Sequence, residues 1–78
     1  MKVVVQLFGS LAEQAGRSRL DVTVDAATVE AVVDAAARDA KIRIDPSVRF
    51  AVNTDYAAPD AAVRDGDVVS LLPPVGGG

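Results

Sequence analysis

The sequence lacks cysteine and histidine entirely. Without cysteine, the chain has no disulfide framework and no thiolate that acts as a nucleophile or a metal ligand. Without histidine, it lacks the commonest general base and the commonest zinc ligand. Asp25 and Asp60 fall on predicted loops without the dense spacing of a cation site, so we expect them to be solvated. We therefore predict that the chain is not an enzyme by itself and binds no metal.

Aromatic residues are also scarce, at 4% of the chain, whereas hydrophobic residues of all kinds make up 50%. The core must therefore be built mainly from Val, Leu, Ile and Ala. The 78 residues suffice for one small domain. This length is near the lower size at which an apolar core stabilises a fold without disulfides or bound metal.

Positive charge is in deficit, since 8 basic and 11 acidic residues give a net charge of -3. The basic residues are scattered, with no stripe interleaved with aromatics, which argues against nucleic acid or an anionic membrane as partner. No apolar run approaches the ~20 residues of a membrane span, and no signal-peptide core follows Met1. We expect a cytoplasmic domain.

Hydrophobic periodicity and turn residues predict the elements in order. One amphipathic helix, beginning after Thr28, has a single apolar stripe and covers one face of a mixed sheet, which predicts a two-layer α+β domain. The predicted elements are a strand over 2–8, a short helix over 10–15, a strand over 19–24, the main helix over 28–40, a strand over 50–53, a brief return near Tyr56, and a last strand over 67–72.

Local sequence signals mark where these elements begin and end. Ser10 and Glu13 have the spacing of a capping box, in which each side chain accepts from the other residue's backbone N–H. Gly16 suits the left-handed residue that ends the short helix. Thr28 is the expected N-cap of the main helix, and Asp65-Gly66 is a turn that begins the last strand.

The alternation of the first and last strands predicts an apolar patch on the uncovered face of the sheet. If Ser70 points away from the core, Val68 and Leu72 do so too, and in the first strand Val4 and Phe8 point the same way. Adjacent strands would bring these four side chains together, with Tyr56 at the border. A contiguous exposed patch usually marks a partner site. The alternatives are that a loop covers the patch, that Phe8 is a core aromatic, and that Tyr56 is an ordinary strand residue.

The sequence ends in three glycines after a double proline. A packed domain gains little from such a run, because glycine has no side chain to bury and loses the most backbone entropy when ordered. Stiff prolines would end the strand and hold a thin strip with a free carboxylate away from the body. We predict a domain over 1–72 and an extended tail over 73–78; the alternative is a frayed terminus. The tail residues are Pro73, Pro74, Val75, Gly76, Gly77 and Gly78.

These features together resemble the β-grasp sulfur carriers of the MoaD/ThiS family, which share the ubiquitin fold. The resemblance covers the whole chain and is strongest to the MoaD branch, the small subunits of molybdopterin synthase. It rests on LFGSLAEQAG after the first strand, AVN in the third, DGD before the last strand, and the ending LLPPVGGG.

The resemblance implies a carrier rather than a self-sufficient enzyme. In that family the carboxylate of the last glycine, here Gly78, is adenylated with MgATP by a MoeB-like activating enzyme. A persulfide from a sulfurtransferase then displaces AMP and leaves a thiocarboxylate. The tail enters the MoaE-like large subunit, with which a heterotetramer is implied, and sulfur passes to cyclic pyranopterin monophosphate to build molybdopterin. The family's hydrophobic partner contacts map onto Phe8, Tyr56 and Leu72.

Other functions of the same family stay open. A ThiS-like carrier would serve thiamine synthesis, and other carriers serve cysteine synthesis or tRNA thiolation. The helix over 10–15 and the full second strand favour the MoaD branch. A ubiquitin-like modifier would instead join Gly78 to lysines of target proteins through an isopeptide bond. An inert β-grasp scaffold is the remaining alternative.

Overall fold

The computed structural model describes residues 1–74. Within them the elements follow the predicted order, and their bounds differ from the predicted ones by at most one residue. Neither helix in this part of the chain is long and apolar enough to cross a membrane. The elements are β1 (Lys2–Leu7), α1 (Gly9–Ala15), β2 (Arg19–Thr23), α2 (Val29–Ala40), β3 (Arg49–Val52), β4 (Asp55–Ala57) and β5 (Val68–Leu72).

The five strands form one mixed sheet in the order β2-β1-β5-β3-β4. β1 and β5 lie parallel in the centre, whereas the other neighbouring strands are antiparallel. Helix α2 packs against β1, β2 and β5 on one face of this sheet. The predicted two-layer α+β architecture is therefore confirmed.

The core lies between α2 and the sheet and is almost purely aliphatic. Every second residue of β1 and β2 is buried, as the alternation of their sequences predicts. On α2 the residues that recur at helical spacing are buried, and Glu30, Asp34 and Arg38 on the opposite side are exposed. The largest fully buried side chains are Val3, Val5, Leu7, Val29, Val32, Val69 and Leu71.

Three of the predicted end signals are confirmed. The Thr28 hydroxyl accepts a hydrogen bond of 3.2 Å from the backbone N–H of Ala31, which satisfies one of the free donors at the start of α2. Gly16 ends α1 with a φ of 73°, and its N–H donates to the Ala12 carbonyl at 2.9 Å. In the turn before β5, the Asp65 carboxylate accepts from the backbone N–H of Lys2 at 2.7 Å, which joins that turn to the start of β1.

The predicted capping box at Ser10 and Glu13 is wrong. Helix α1 begins at Gly9, its N-cap is Phe8, and no side chain caps it. Ser10 is therefore already inside the first turn, where its hydroxyl is not placed as an N-cap acceptor. The physical reason is that Phe8 keeps an extended backbone (φ -125°) at the end of β1 and the chain turns at once through Gly9, whose φ is positive.

Candidate functional site

The candidate site is the face of the sheet opposite α2, which we call the open face. Burial alternates along β1 and β2, and the register of the sheet extends their two faces to the other strands. The open-face residues of each strand follow from the pairing. They are Lys2, Val4 and Gln6 of β1 with Phe8 after it, Arg19, Asp21 and Thr23 of β2, Val68, Ser70 and Leu72 of β5, Arg49 and Ala51 of β3, and Tyr56 of β4.

The pairing of β1 with β5 brings the predicted apolar residues together in two groups. Val4 pairs with Val68 near the start of both strands. Leu7 pairs with Leu71 in the core layer, so Phe8 and Leu72 are neighbours at the end of both strands. The first and last strands are therefore adjacent, which is the condition on which the predicted patch depended.

The apolar patch is interrupted, in contrast to the contiguous one that the sequence predicted. The pair Gln6 and Ser70 lies between Val4–Val68 and Phe8–Leu72. Ser70 is small and only 7% exposed. Since the two groups are four positions apart in each strand, about 13 Å separates them along the strands. The group nearest the tail is therefore Phe8 and Leu72.

Phe8 and Tyr56 are the large apolar side chains left exposed within residues 1–74. Phe8 is 44% exposed and Tyr56 is 72% exposed. Phe8 is therefore not a core aromatic, and the alternative that assigned it to the core is wrong. The inner layer is already filled at that point by Leu7.

A groove begins where the chain leaves β5. It is lined by Ser47, Arg49, Tyr56, Leu72, Pro73 and Pro74. The Arg49 guanidinium carbon lies 5.8 Å from the centroid of the Tyr56 ring, within range of a cation–π contact. The sequence predicted Tyr56 and Leu72 for this region but treated Arg49 as one of several scattered basic residues. Only the pairing of β3 with both β4 and β5 brings these side chains together.

Gly9 supports the start of the tail from the other side. A Cβ atom added to Gly9 would lie 3.1 Å from Cγ of Pro73, and the φ of Gly9 is +53°. The backbone of the turn after β1 therefore packs directly on the first tail residue. Sequence reasoning missed this role, because it depends on the parallel pairing of strands from opposite ends of the sequence.

Only the first two residues of the predicted tail lie within the described residues. β5 ends at Leu72, Pro73 is half-buried, and Pro74 is exposed. The predictions for Val75, Gly76, Gly77 and Gly78 fall outside the described residues.

Charge near the groove comes from Arg49 and from the loop that precedes β3. In that loop the hydroxyl and the backbone N–H of Ser47 both donate to Asp45 Oδ1, and these hydrogen bonds hold the pKa of the Asp45 carboxyl below its usual range. The Asp45 carboxylate is therefore ionised at neutral pH and already engaged within its own turn. Among residues 1–74, no group of three or more acidic side chains is arranged to hold a metal ion.

Replacing Gly9 with Ala is expected to lower the free energy of unfolding by about 1–2 kcal/mol, because an L-residue is strained at positive φ. It should also displace Pro73, since the new methyl group lies closer than ordinary van der Waals contact. Chemical denaturation measures the first effect, and the NMR shifts of Leu72 and Pro73 report the second.

Gly16→Ala is the matched control for Gly9→Ala. Gly16 also has a positive φ, +73°, but nothing lies within 4 Å of a Cβ built there. Both variants should lose similar stability, whereas only Gly9→Ala should shift Leu72 and Pro73. Equal shifts in the two variants would mean that Gly9 does not position the tail.

Comparison with known proteins gives consistent results. Residues 5–78 match the sequence profile of the ThiS family. SAMP1 of Haloferax volcanii, a small archaeal modifier protein, is 31% identical over the full length of both chains, with a TM-score of 0.86. A putative molybdopterin converting factor subunit 1 of Pyrococcus furiosus is 27% identical over 96% of this chain and 99% of its own, with a TM-score of 0.80.

A third similar structure is a complex of two proteins. Subunits 1 and 2 of the molybdopterin-converting factor of Helicobacter pylori form it, and the matching chain is 26% identical over all of both chains, with a TM-score of 0.66. These likenesses confirm the ubiquitin-like β-grasp fold that the resemblance implied.

Proposed function

Because this chain belongs to the ThiS family of small ubiquitin-like β-grasp sulfur carriers, we propose that it carries sulfur as a thiocarboxylate on Gly78. In this proposal it is a carrier subunit that has no catalytic activity alone. The observation that carries the proposal is the family match over residues 5–78, with the apolar end of the open face beside the start of the tail.

The proposed chemistry begins with activation, because a carboxylate is a poor electrophile. A MoeB-like enzyme transfers AMP from MgATP to the Gly78 carboxylate and releases pyrophosphate. The terminal sulfur of a sulfurtransferase persulfide then attacks the carbonyl carbon, and AMP leaves. A second thiol cleaves the S–S bond of the resulting acyl disulfide, is itself oxidised to a disulfide, and frees the thiocarboxylate. Each step takes place in a partner's site, so the chain supplies the reacting end and the docking surface.

We propose cyclic pyranopterin monophosphate as the acceptor, which sulfur transfer converts to molybdopterin. The likeness to the Pyrococcus furiosus and Helicobacter pylori subunits supports this choice. The partner would be a MoaE-like large subunit, assembled with the carrier as a heterotetramer in the cytoplasm.

Protein modification is the second candidate, and the 31% identity to the Haloferax volcanii modifier protein favours it to the same degree. Adenylation of Gly78 is common to both routes, and they differ in the nucleophile that follows. A lysine amine would give an isopeptide bond to a target protein, whereas a persulfide gives the thiocarboxylate. Carriers for thiamine, cysteine or tRNA thiolation differ only in the final acceptor.

The test is the intact mass of the chain after incubation with the adenylating enzyme of its own genome, MgATP and a persulfide-loaded sulfurtransferase. Replacement of one oxygen by sulfur gives the mass gain that the carrier proposal expects. The chain that has gained sulfur is then mixed with the large subunit and cyclic pyranopterin monophosphate. The molybdopterin formed is measured by its fluorescent oxidation product. No mass gain, together with lysine-linked conjugates in lysate, would favour the modifier.

Phe8→Ala is expected to weaken binding to the large subunit by about 1–3 kcal/mol, because Phe8 is an exposed aromatic beside the tail and aromatic anchors carry much of the energy of an interface. Calorimetry at fixed salt measures the change. The matched control is Ile44→Ala, because Ile44 is a large apolar residue that is only partly buried and belongs to the loop after α2 rather than to the open face. Equal affinity of Phe8→Ala and the unmodified chain would remove Phe8 from the interface.

A further inference from the structure

We propose that the open face docks on an acidic protein surface, and that a partner carboxylate pairs with Arg49 at the rim of the groove. This inference rests on the proposed function, because it identifies the chemistry of the surface that receives the carrier. The occupant is a folded protein that presents Asp or Glu next to apolar side chains.

The first argument is the distribution of charge. The chain as a whole has a net charge of -3. The strand positions of the open face instead hold three cations (Lys2, Arg19 and Arg49) and one carboxylate (Asp21), which is a net charge of +2. The molecule is therefore polarised, with a basic face on an acidic body. Such a field steers the open face toward a negative partner surface and away from a positive one.

The second argument is the position of Arg49. It pairs across the sheet with Leu72, the last residue before the tail. It also lines the groove that contains Pro73 and Pro74. A partner that encloses the tail must therefore cover Arg49 as well. The guanidinium carbon lies 5.8 Å from the centroid of the Tyr56 ring, which lines the same groove.

The third argument is energetic. Enclosing an arginine without a counter-charge is strongly unfavourable, because the guanidinium cannot lose its proton and its five N–H groups need acceptors. The nearest carboxylate of the preceding loop, Asp45, already accepts two hydrogen bonds from Ser47. A partner that covers Arg49 therefore satisfies the guanidinium by presenting an acceptor, and a carboxylate fits its fork best.

The experiment measures binding of the full chain to the adenylating enzyme of its own genome, without MgATP, by calorimetry at several salt concentrations. Arg49→Glu is expected to weaken binding by at least about 30-fold at low salt. Arg49→Lys should retain a substantial part of the affinity, because it keeps the cation while losing the fork. Affinity of the unmodified chain should fall as salt rises, and the Arg49→Glu variant should lose that dependence.

Arg38→Glu is the matched control, because it makes the same change of charge at an exposed position of α2, on the other side of the molecule. It should bind within about twofold of the unmodified chain, because solvent and salt screen a charge that lies outside the interface. Circular dichroism and chemical denaturation establish that each variant is folded. Equal losses for Arg38→Glu and Arg49→Glu would reduce the effect to overall charge and overturn the proposal.

Failure of this inference is distinguishable from failure of the proposed function. If Arg49→Glu binds and gains sulfur as the unmodified chain does, the acidic docking surface is wrong while the carrier function stands. If the unmodified chain gains no sulfur but binds with the expected dependence on Arg49, the docking surface stands and the carrier function fails. A charge-reversing substitution in the partner that restores binding of Arg49→Glu would identify the carboxylate.

Discussion

Deletion of Gly78 is expected to abolish sulfur incorporation completely. The proposed reaction takes place at the carboxylate of this residue, and a chain that ends at Gly77 presents its carboxylate about 3.5 Å short of the reacting position. A misplacement of only 1 Å can lower a rate by about a hundredfold. The intact mass after incubation with the adenylating enzyme, MgATP and a sulfur donor should therefore show no gain.

Two controls separate this effect from damage to the domain. The thermal midpoint of the deletion variant should equal that of the full chain, because glycine has no side chain to contribute to packing. Adding one alanine after Gly78 should block incorporation as well, although every original residue is kept. If either variant gained sulfur, the Gly78 carboxylate would not be the group that carries it.

Leu71→Ala is expected to have the largest effect on stability. Leu71 is fully buried, at 0% exposure, and lies in the central strand of the sheet. Truncation of a buried leucine costs about 2–5 kcal/mol. A domain of 78 residues has a total free energy of unfolding of only about 4–12 kcal/mol. Urea denaturation should therefore show a large fall in midpoint, and partial unfolding at 37 °C if the domain lies near the lower value.

Truncation of the neighbouring residue, Leu72, is expected to affect binding rather than stability. Leu72 is the next residue of the same strand but points to the open face, where it is only partly buried. Leu72→Ala should weaken binding to the large subunit by about 1–3 kcal/mol with a much smaller loss of stability. The same chemical change at adjacent positions thus separates core from interface. If both variants lost stability equally and bound equally well, the assignment of the two faces would be wrong.

Most of the fold follows from local signals that need no partner strand. Thr28 caps α2 and Gly16 ends α1 as predicted, because a side-chain acceptor and a left-handed residue act within one turn. The faces of β1 and β5 were predictable because Ser70 interrupts an apolar strand and sets its alternation. The capping box at Ser10 failed for a local reason too, since Gly9 allows the chain to enter the helix directly from the strand.

The site was less predictable, because its details depend on strand order. The approach of the Arg49 guanidinium to the Tyr56 ring depends on the pairing of β3 with β4. The packing of Gly9 on Pro73 joins residues that are far apart in sequence. The alternation placed Val4, Phe8, Val68 and Leu72 on one face, but only the pairing shows that Gln6 and Ser70 divide them. The predictions for the four last residues fall outside the described residues.

The central place of β5 has a consequence for how the molecule folds. β5 is the strand that joins the antiparallel pair of β1 and β2 to the hairpin of β3 and β4. An isolated two-stranded hairpin is marginally stable at best in water, and pairing between distant segments is a slow step of folding. A nascent or truncated chain without residues 68–72 therefore has no complete sheet and no assembled open face. The strand that leads into the tail is also the strand that completes the fold. A chain that lacks the tail because it ends before β5 is therefore not expected to fold, to bind a partner or to compete with intact chains for that partner.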